Sequence, residues 1–170
     1  MMKRILSAVL ALAMLFAAGI AAAETEEKIV VGIDLDGNEV TEDIFTGAKL
    51  TVVNVWGTFC GPCINEMPYL GQLAEEYADR GVRFVGIVSD VDETMPADSA
   101  KSIVETTGAK YTHLRLNMLL YYTFACQSEY IPATWLLDEN GQSLMEEPLV
   151  GSMSYEGWKN LIDTCLDALK

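Results

Sequence analysis

Apolar positions along the chain change period several times, and each change marks an element. "KIVVGIDLDGNEVT" (28–41) reads as two short strands joined at a turn signal, Asp36-Gly37-Asn38. "LTVVNVW" (50–56) is almost continuously apolar and β-branched, the pattern of a strand buried on both faces of a sheet. After it Cys63, Met67, Leu70, Ala74 and Tyr77 recur at helical spacing, up to a stop at Arg80-Gly81. "VRFVGIVSD" (82–90) is a second buried strand, so strand, helix and strand predict a right-handed parallel crossover.

The second half predicts a helix over 96–108, capped by Asp98 or Ser99 and stopped at Gly108, then a strand over 110–116. A helix follows over 117–126 with Asn117 as its cap. A hairpin spans 133–151, turned at Glu139-Asn140-Gly141. In the last helix Trp158, Leu161, Ile162, Cys165, Leu166 and Leu169 share one apolar face. The fold class is therefore α/β: a parallel core, helices on both faces and a terminal antiparallel hairpin.

The first residues change the picture of where the domain works. Lys3 and Arg4 precede a run without charge from Ile5 to Ala23, which ends in three alanines before Glu24-Thr25-Glu26-Glu27. This is the order of a secretory signal, cleaved after Ala23, with an uncleaved membrane anchor as the alternative. Both place residues 24–170, read as one domain, outside the cytoplasm, in the periplasm or on the outer face of the cytoplasmic membrane. A domain of this length buries a core without disulfide staples. The chain's net charge of −14 becomes −16 once Lys3 and Arg4 are removed. Such a charge argues against nucleic acid and against electrostatic attraction to anionic lipid. Membrane contact is expected only if the N-terminal segment stays uncleaved.

Candidate chemistry lies in "NVWGTFCGPCINEMPYL" (54–70), where Cys60 and Cys63 stand two residues apart. That spacing suits half a zinc site, a structural disulfide or a redox dithiol. Structural zinc needs four ligands. The chain has one histidine, His113, and no second C-x-x-C, and Cys126 and Cys165 stand alone. No metal is expected, and His113 is read as a strand-surface or core-edge residue. A dithiol explains the spacing better. Cys60 falls where a buried strand meets a helix, and free backbone N–H groups with the helix dipole stabilise a thiolate there. Gly61 permits the sharp turn, and Pro62 fits the first helical turn. Cys63, one turn further in, is placed to attack back on a mixed disulfide.

The segment resembles the active-site segment of TlpA/ResA-like thioredoxin-fold proteins, exported thiol–disulfide oxidoreductases with the pattern W-x-x-x-C-x-x-C-x-x-E-x-P. Trp56, Cys60, Cys63, Glu66 and Pro68 fall on it. The lead-in "DLDGNEVTEDIFTGAKLTVVNVW" and the stretch "YIPATWLLDENGQ" are also similar, so the resemblance runs over roughly 29–169. It implies a thioredoxin fold with a central mixed sheet, helices on both faces and an N-terminal β extension.

The resemblance also implies roles. Pro132 would follow a cis peptide facing the dithiol, and the backbone of Ile131 would pair with an extended substrate. Glu66 would manage the proton of Cys63, because Asn54 occupies the place where cytosolic thioredoxins carry a buried Asp. Phe59 stands where the family usually has Trp. It and Trp56 are placed at the substrate side of the site, Trp56 chiefly packing beneath it. Cys165 reads as a small buried hydrophobe. Cys126 is open to three readings: a buried thiol, a partner for Cys165 or a third redox cysteine.

The function so implied is reduction of disulfides in partner proteins, in the manner of cytochrome c maturation, with a membrane electron donor and no cofactor. Gly61-Pro62 is the dipeptide of reducing thioredoxins. The alternatives are a peptide-binding thioredoxin-fold module without turnover and a peroxiredoxin-like peroxidase. For the latter the chain lacks a P-x-x-x-T/S-x-x-C loop around 62–68.

Overall fold

The structure, a computed structural model, describes residues 28–170, so the signal or anchor read over 1–23 lies outside the described residues. Its centre is a five-stranded sheet of order β5-β4-β3-β6-β7. The strands are β3 (Leu50–Trp56), β4 (Val82–Asp92), β5 (Thr112–Leu116), β6 (Ala133–Leu137) and β7 (Leu149–Val150). β3, β4 and β5 run parallel, while β6 is antiparallel to β3 and β7 to β6. A separate antiparallel pair, β1 (Val30–Ile33) and β2 (Glu39–Thr41), forms the N-terminal extension. This is the thioredoxin fold.

Each residue of β3 is buried, as its unbroken apolar run requires of a central strand. Leu50, Val52 and Trp56 face one side, Val53 and Val55 the other. The first side is covered by α1 (Gly61–Tyr77), α2 (Asp98–Thr107) and α4 (Tyr155–Ala168). The second is covered by Leu120 and Phe124 of the 118–125 segment and by Val40, Ile44 and Phe45 of the lead-in. In α4, Trp158, Ile162 and Leu166 are buried against α1, but Leu169 ends the helix at the surface.

Several local expectations need correction. The cap of α2 is Ala97, which supplies no side-chain hydrogen bond, while Asp98 sits in the first turn beside the free N–H groups. The 117–126 segment is one α turn, α3 (Met118–Leu120), followed by a π turn over Tyr121–Ala125. Asn117 does cap it, accepting from Leu120 N at 2.9 Å. The widened turn buries Phe124, whose carbonyl accepts from Trp135 Nε1 at 3.0 Å, leaving Tyr121 and Tyr122 outside. The 133–151 hairpin is interrupted: Leu137 bridges Ser143, yet Thr134 pairs with Leu149, so part of 144–148 loops out of the ladder. Pro148 has no N–H to give that ladder.

His113 is neither on the strand surface nor at the core edge. It is 3% exposed, between Trp56 and Tyr111. Facing it across the strands is Gly86, where a Cβ would come within 2.0 Å of the imidazole Nδ1. Beyond it, the edge of β5 is covered by the lead-in. Asp34 bridges Leu114, Leu35 N donates to His113 O at 3.1 Å, and Arg115 donates to the carbonyls of Asp34 and Leu35.

Candidate active site

β3 ends at Trp56, and the chain turns through Gly57–Phe59 into α1. That loop is tied down by Thr58, whose backbone N–H and hydroxyl both donate to the carboxylate of Asp90 on β4. Cys60 N donates to Gly57 O at 3.0 Å. Cys60 is therefore the N-cap of α1, with extended backbone, and its Sγ accepts from Cys63 N at 3.2 Å. Pro62 occupies the first turn without cost, since no N–H is missed there. The two cysteines are joined as a disulfide, with Cα atoms 5.3 Å apart. Cys63 is wholly enclosed, while Gly61 and Pro62 lie at the surface.

Opposite the dithiol, the Ile131–Pro132 peptide is cis. Cys60 Sγ lies 3.7 Å from the carbonyl oxygen of Ile131. Phe59 is 73% exposed and Tyr130 70%, so the rim around the disulfide is aromatic. Trp56 has no exposed surface. The structure thus corrects its place among the contact residues. It lies under the disulfide in one cluster with Cys60, Cys63 and Met67, where no external partner reaches.

Glu66 points inward from α1 and is 1% exposed. Its Oε1 accepts from Asn54 Nδ2 at 3.3 Å, and its Oε2 from Met153 N at 3.0 Å and Trp158 Nε1 at 3.1 Å. Burial pushes its pKa up, against the pull of these three donors. Asn54 also donates to Thr134 Oγ1 at 3.0 Å, and its own Oδ1 is buried without a partner. On the Trp56 side, the indole Nε1 donates to His113 Nδ1 at 3.1 Å, and His113 Nε2 meets Ala109 O at 2.8 Å. Burial lowers the His113 pKa to about 4. Tyr111 stacks on that ring at 4.5 Å, its hydroxyl buried without a partner and its pKa raised by burial and by the Glu66 charge.

The structure brings Cys60, Cys63, Phe59, Ile131 and Pro132 together, with Phe59 exposed, Ile131 half-buried, Cys60, Cys63 and Pro132 buried just beneath, and Trp56 behind them. Glu66 sits deeper, on the same helix. Cys126 and Cys165 stay apart from the dithiol and from each other. Both are free, Cys126 is exposed and Cys165 half-buried, so the buried-thiol and paired readings of Cys126 do not hold. Sequence reasoning missed Trp158, Met153, Thr134 and Asp90. Trp158 had one legible signal: a buried indole N–H needs an acceptor.

A cysteine pair spanning a helix N-cap and first turn, opposite a cis-proline loop on this fold, is the mark of a thiol–disulfide oxidoreductase. The family model described as Redoxin matches residues 21–143. A curated relative, thiol–disulfide oxidoreductase ResA of Bacillus thuringiensis subsp. konkukian, is 30% identical over 130 residues, covering 71% of each chain. ResA of Bacillus thuringiensis strain Al Hakam is 30% identical over 124 residues, 72% of this chain and 66% of the relative. The chain thus spans about two thirds of these relatives' length. Among solved structures, a thioredoxin-family thiol:disulfide interchange protein from Chlorobium tepidum superposes with a TM-score of 0.66 at 24% identity, covering 82% of this chain and 97% of that one. A secreted Mycobacterium tuberculosis disulfide oxidoreductase homologous to E. coli DsbE gives 0.61 at 22% identity, with coverage of 78% and 93%. The chain belongs to the Redoxin family, with the ResA thiol–disulfide oxidoreductases as its curated relatives.

Proposed function

We propose that this protein works outside the cytoplasm and reduces disulfides in partner proteins. One observation carries the reading: Cys60 caps α1 with its sulfur held by Cys63 N, beside the carbonyl that precedes a cis proline. In the reduced protein the same N–H and the helix dipole favour a Cys60 thiolate. The thiolate attacks one sulfur of the partner's disulfide. A mixed disulfide forms, and the other partner sulfur leaves as a thiolate that takes a proton from water. Cys63 then gives its proton to Glu66 and attacks Cys60 Sγ. The Cys60–partner bond breaks, the partner leaves with both sulfurs reduced, and Cys60–Cys63 carries the oxidation. Two electrons from a dithiol donor, on this reading a membrane protein, return it to the start.

Extended substrate chain pairs with the Ile131 backbone, and Phe59 gives an apolar rest for side chains next to the target cysteine. Support for reduction over oxidation comes from Gly61-Pro62, the dipeptide of reducing thioredoxins. Reduction of insulin by dithiothreitol, with and without the protein, tests the reading. Acceleration lost in Cys60→Ser is the expected result; acceleration that survives the substitution overturns it. A reduction potential near the thioredoxin value of about −270 mV is expected, and one near the DsbA value of about −120 mV makes the protein an oxidant.

A further inference from the structure

Glu66 is anchored from outside its own helix. Of its three donors, two belong to the C-terminal segment: the backbone N–H of Met153 and the indole N–H of Trp158, both on Oε2. Trp158 has no exposed surface, so no water stands in for its N–H. The segment from Met153 into α4 otherwise packs as ordinary apolar structure, with Ile162 and Leu166 against Leu70, Leu73 and Tyr77 of α1. Trp158 is the one side chain there that donates to Glu66.

We propose that Trp158 is a positioning residue: its indole N–H, by holding Glu66 Oε2, sets the pH at which Glu66 can take the proton from Cys63. This rests on the role given to Glu66 above. The geometry admits few competitors. Asn54 on β3 and Thr134 on β6 are neutral, Met153 and Trp158 are neutral, and no cation pairs with Glu66 among the described residues. The titratable groups around it are Cys63 on α1 and Tyr111 before β5, whose buried phenol stays protonated. A donor on one carboxylate oxygen favours the ionised form. Losing it moves the Glu66 midpoint upward.

The test follows the two halves of one exchange. Reduced protein, full chain, in a Cys126→Ser, Cys165→Ser background, is mixed with 5,5′-dithiobis(2-nitrobenzoate) in a stopped-flow instrument across pH. In the first phase the Cys60 thiolate attacks the reagent, forming a Cys60–thionitrobenzoate disulfide and releasing one thionitrobenzoate. In the second, Cys63 passes its proton to Glu66 and attacks Cys60 Sγ. The bond from Cys60 to thionitrobenzoate breaks, the second thionitrobenzoate leaves with the electron pair, and Cys60–Cys63 is oxidised.

Trp158→Phe keeps a six-membered aromatic ring and deletes the donor. The expected result is a second-phase midpoint raised by about one pH unit, the worth of one hydrogen bond to a charged group, with the first phase unmoved. A residue that merely supported the fold would move both phases or neither. If Glu66→Gln changes the second-phase profile but Trp158→Phe does not, the proposal falls and the Glu66 reading stands. If Glu66→Gln leaves the second phase unchanged, both fall. Should Trp158→Phe not fold, benzothienylalanine at 158, isosteric with tryptophan and lacking the N–H, carries the same outcomes.

Discussion

The Trp56 indole donates to His113 Nδ1 at 3.1 Å, and both residues are sealed in the core beneath the disulfide. With Nδ1 accepting, the proton of neutral His113 sits on Nε2 and faces Ala109 O at 2.8 Å. A second proton on the ring would displace the indole bond.

That arrangement predicts an acid-sensitive core. The folded pKa of about 4 lies below the ordinary 6.5. The unfolded chain thus binds more protons between these values, and stability falls as pH drops from 6.5 toward 4. The loss amounts to about 3 kcal/mol. Urea unfolding of the wild type and His113→Gln at several pH values measures it: the difference between the two should shrink by roughly this amount over the window. A constant difference would mean His113 does not titrate on unfolding.

Gly86→Ala is expected to be among the most damaging single-methyl changes in the protein. The added Cβ would overlap the His113 ring, which is pinned by Trp56, Ala109 O and Tyr111. Overpacking of this kind costs about 1–3 kcal/mol. A thermal midpoint unchanged by the substitution would show that the ring can move aside.

Glu66 carries the opposite sign. Its folded pKa is raised by burial, so its contribution is fully present below the ordinary carboxyl value of 4.5 and is lost as pH rises through the folded value. Glu66→Gln retains an oxygen for Met153 N and Trp158 Nε1; its NH2 replaces the acceptor of Asn54 Nδ2 and meets Asn54 Oδ1 once that amide turns over. The variant should therefore gain on the wild type as pH rises from the ordinary carboxyl value through the raised folded value, while losing turnover. Parallel stability curves would contradict the buried, titrating carboxyl.

The two remaining cysteines should differ in reactivity. Cys126 is exposed at the end of the π turn, whereas Cys165 is half-buried and its thiol pKa is raised by burial. Iodoacetamide on the folded, oxidised protein should label Cys126 roughly tenfold faster than Cys165. Denaturation without reductant should reveal both, which mass spectrometry of the peptides reads directly.

Much of this was legible along the chain, for physical reasons that differ by region. β3, the start of α1 and β4 announce themselves because a doubly buried strand has no polar position to disguise its length, and a cap cysteine followed by Pro62 allows few local structures. The interrupted hairpin at 144–148 and the π turn at 121–125 were not legible, because each is settled by single bonds that leave no period in the sequence: Leu144 N to Leu136 O and the Leu137–Ser143 bridge in one, Trp135 Nε1 to Phe124 O in the other. The inner side of the site was half legible. Glu66 could be singled out by its spacing from Cys63, but two of its three partners come from 87 and 92 residues further along the chain. His113 was misplaced because a polar residue in a strand signals a surface unless one knows that Gly86 has emptied the space opposite.

The lead-in over β5 has a bearing on solubility. A sheet of this kind has two open borders with unpaired N–H and C=O groups, which other chains can extend into aggregates. Here Asp34 and Leu35, locked by Arg115, close one border, and the other ends in β7, only two residues long. A partner chain bound at Phe59 and Ile131, on the function proposed above, would thus meet no long free strand of the sheet to extend.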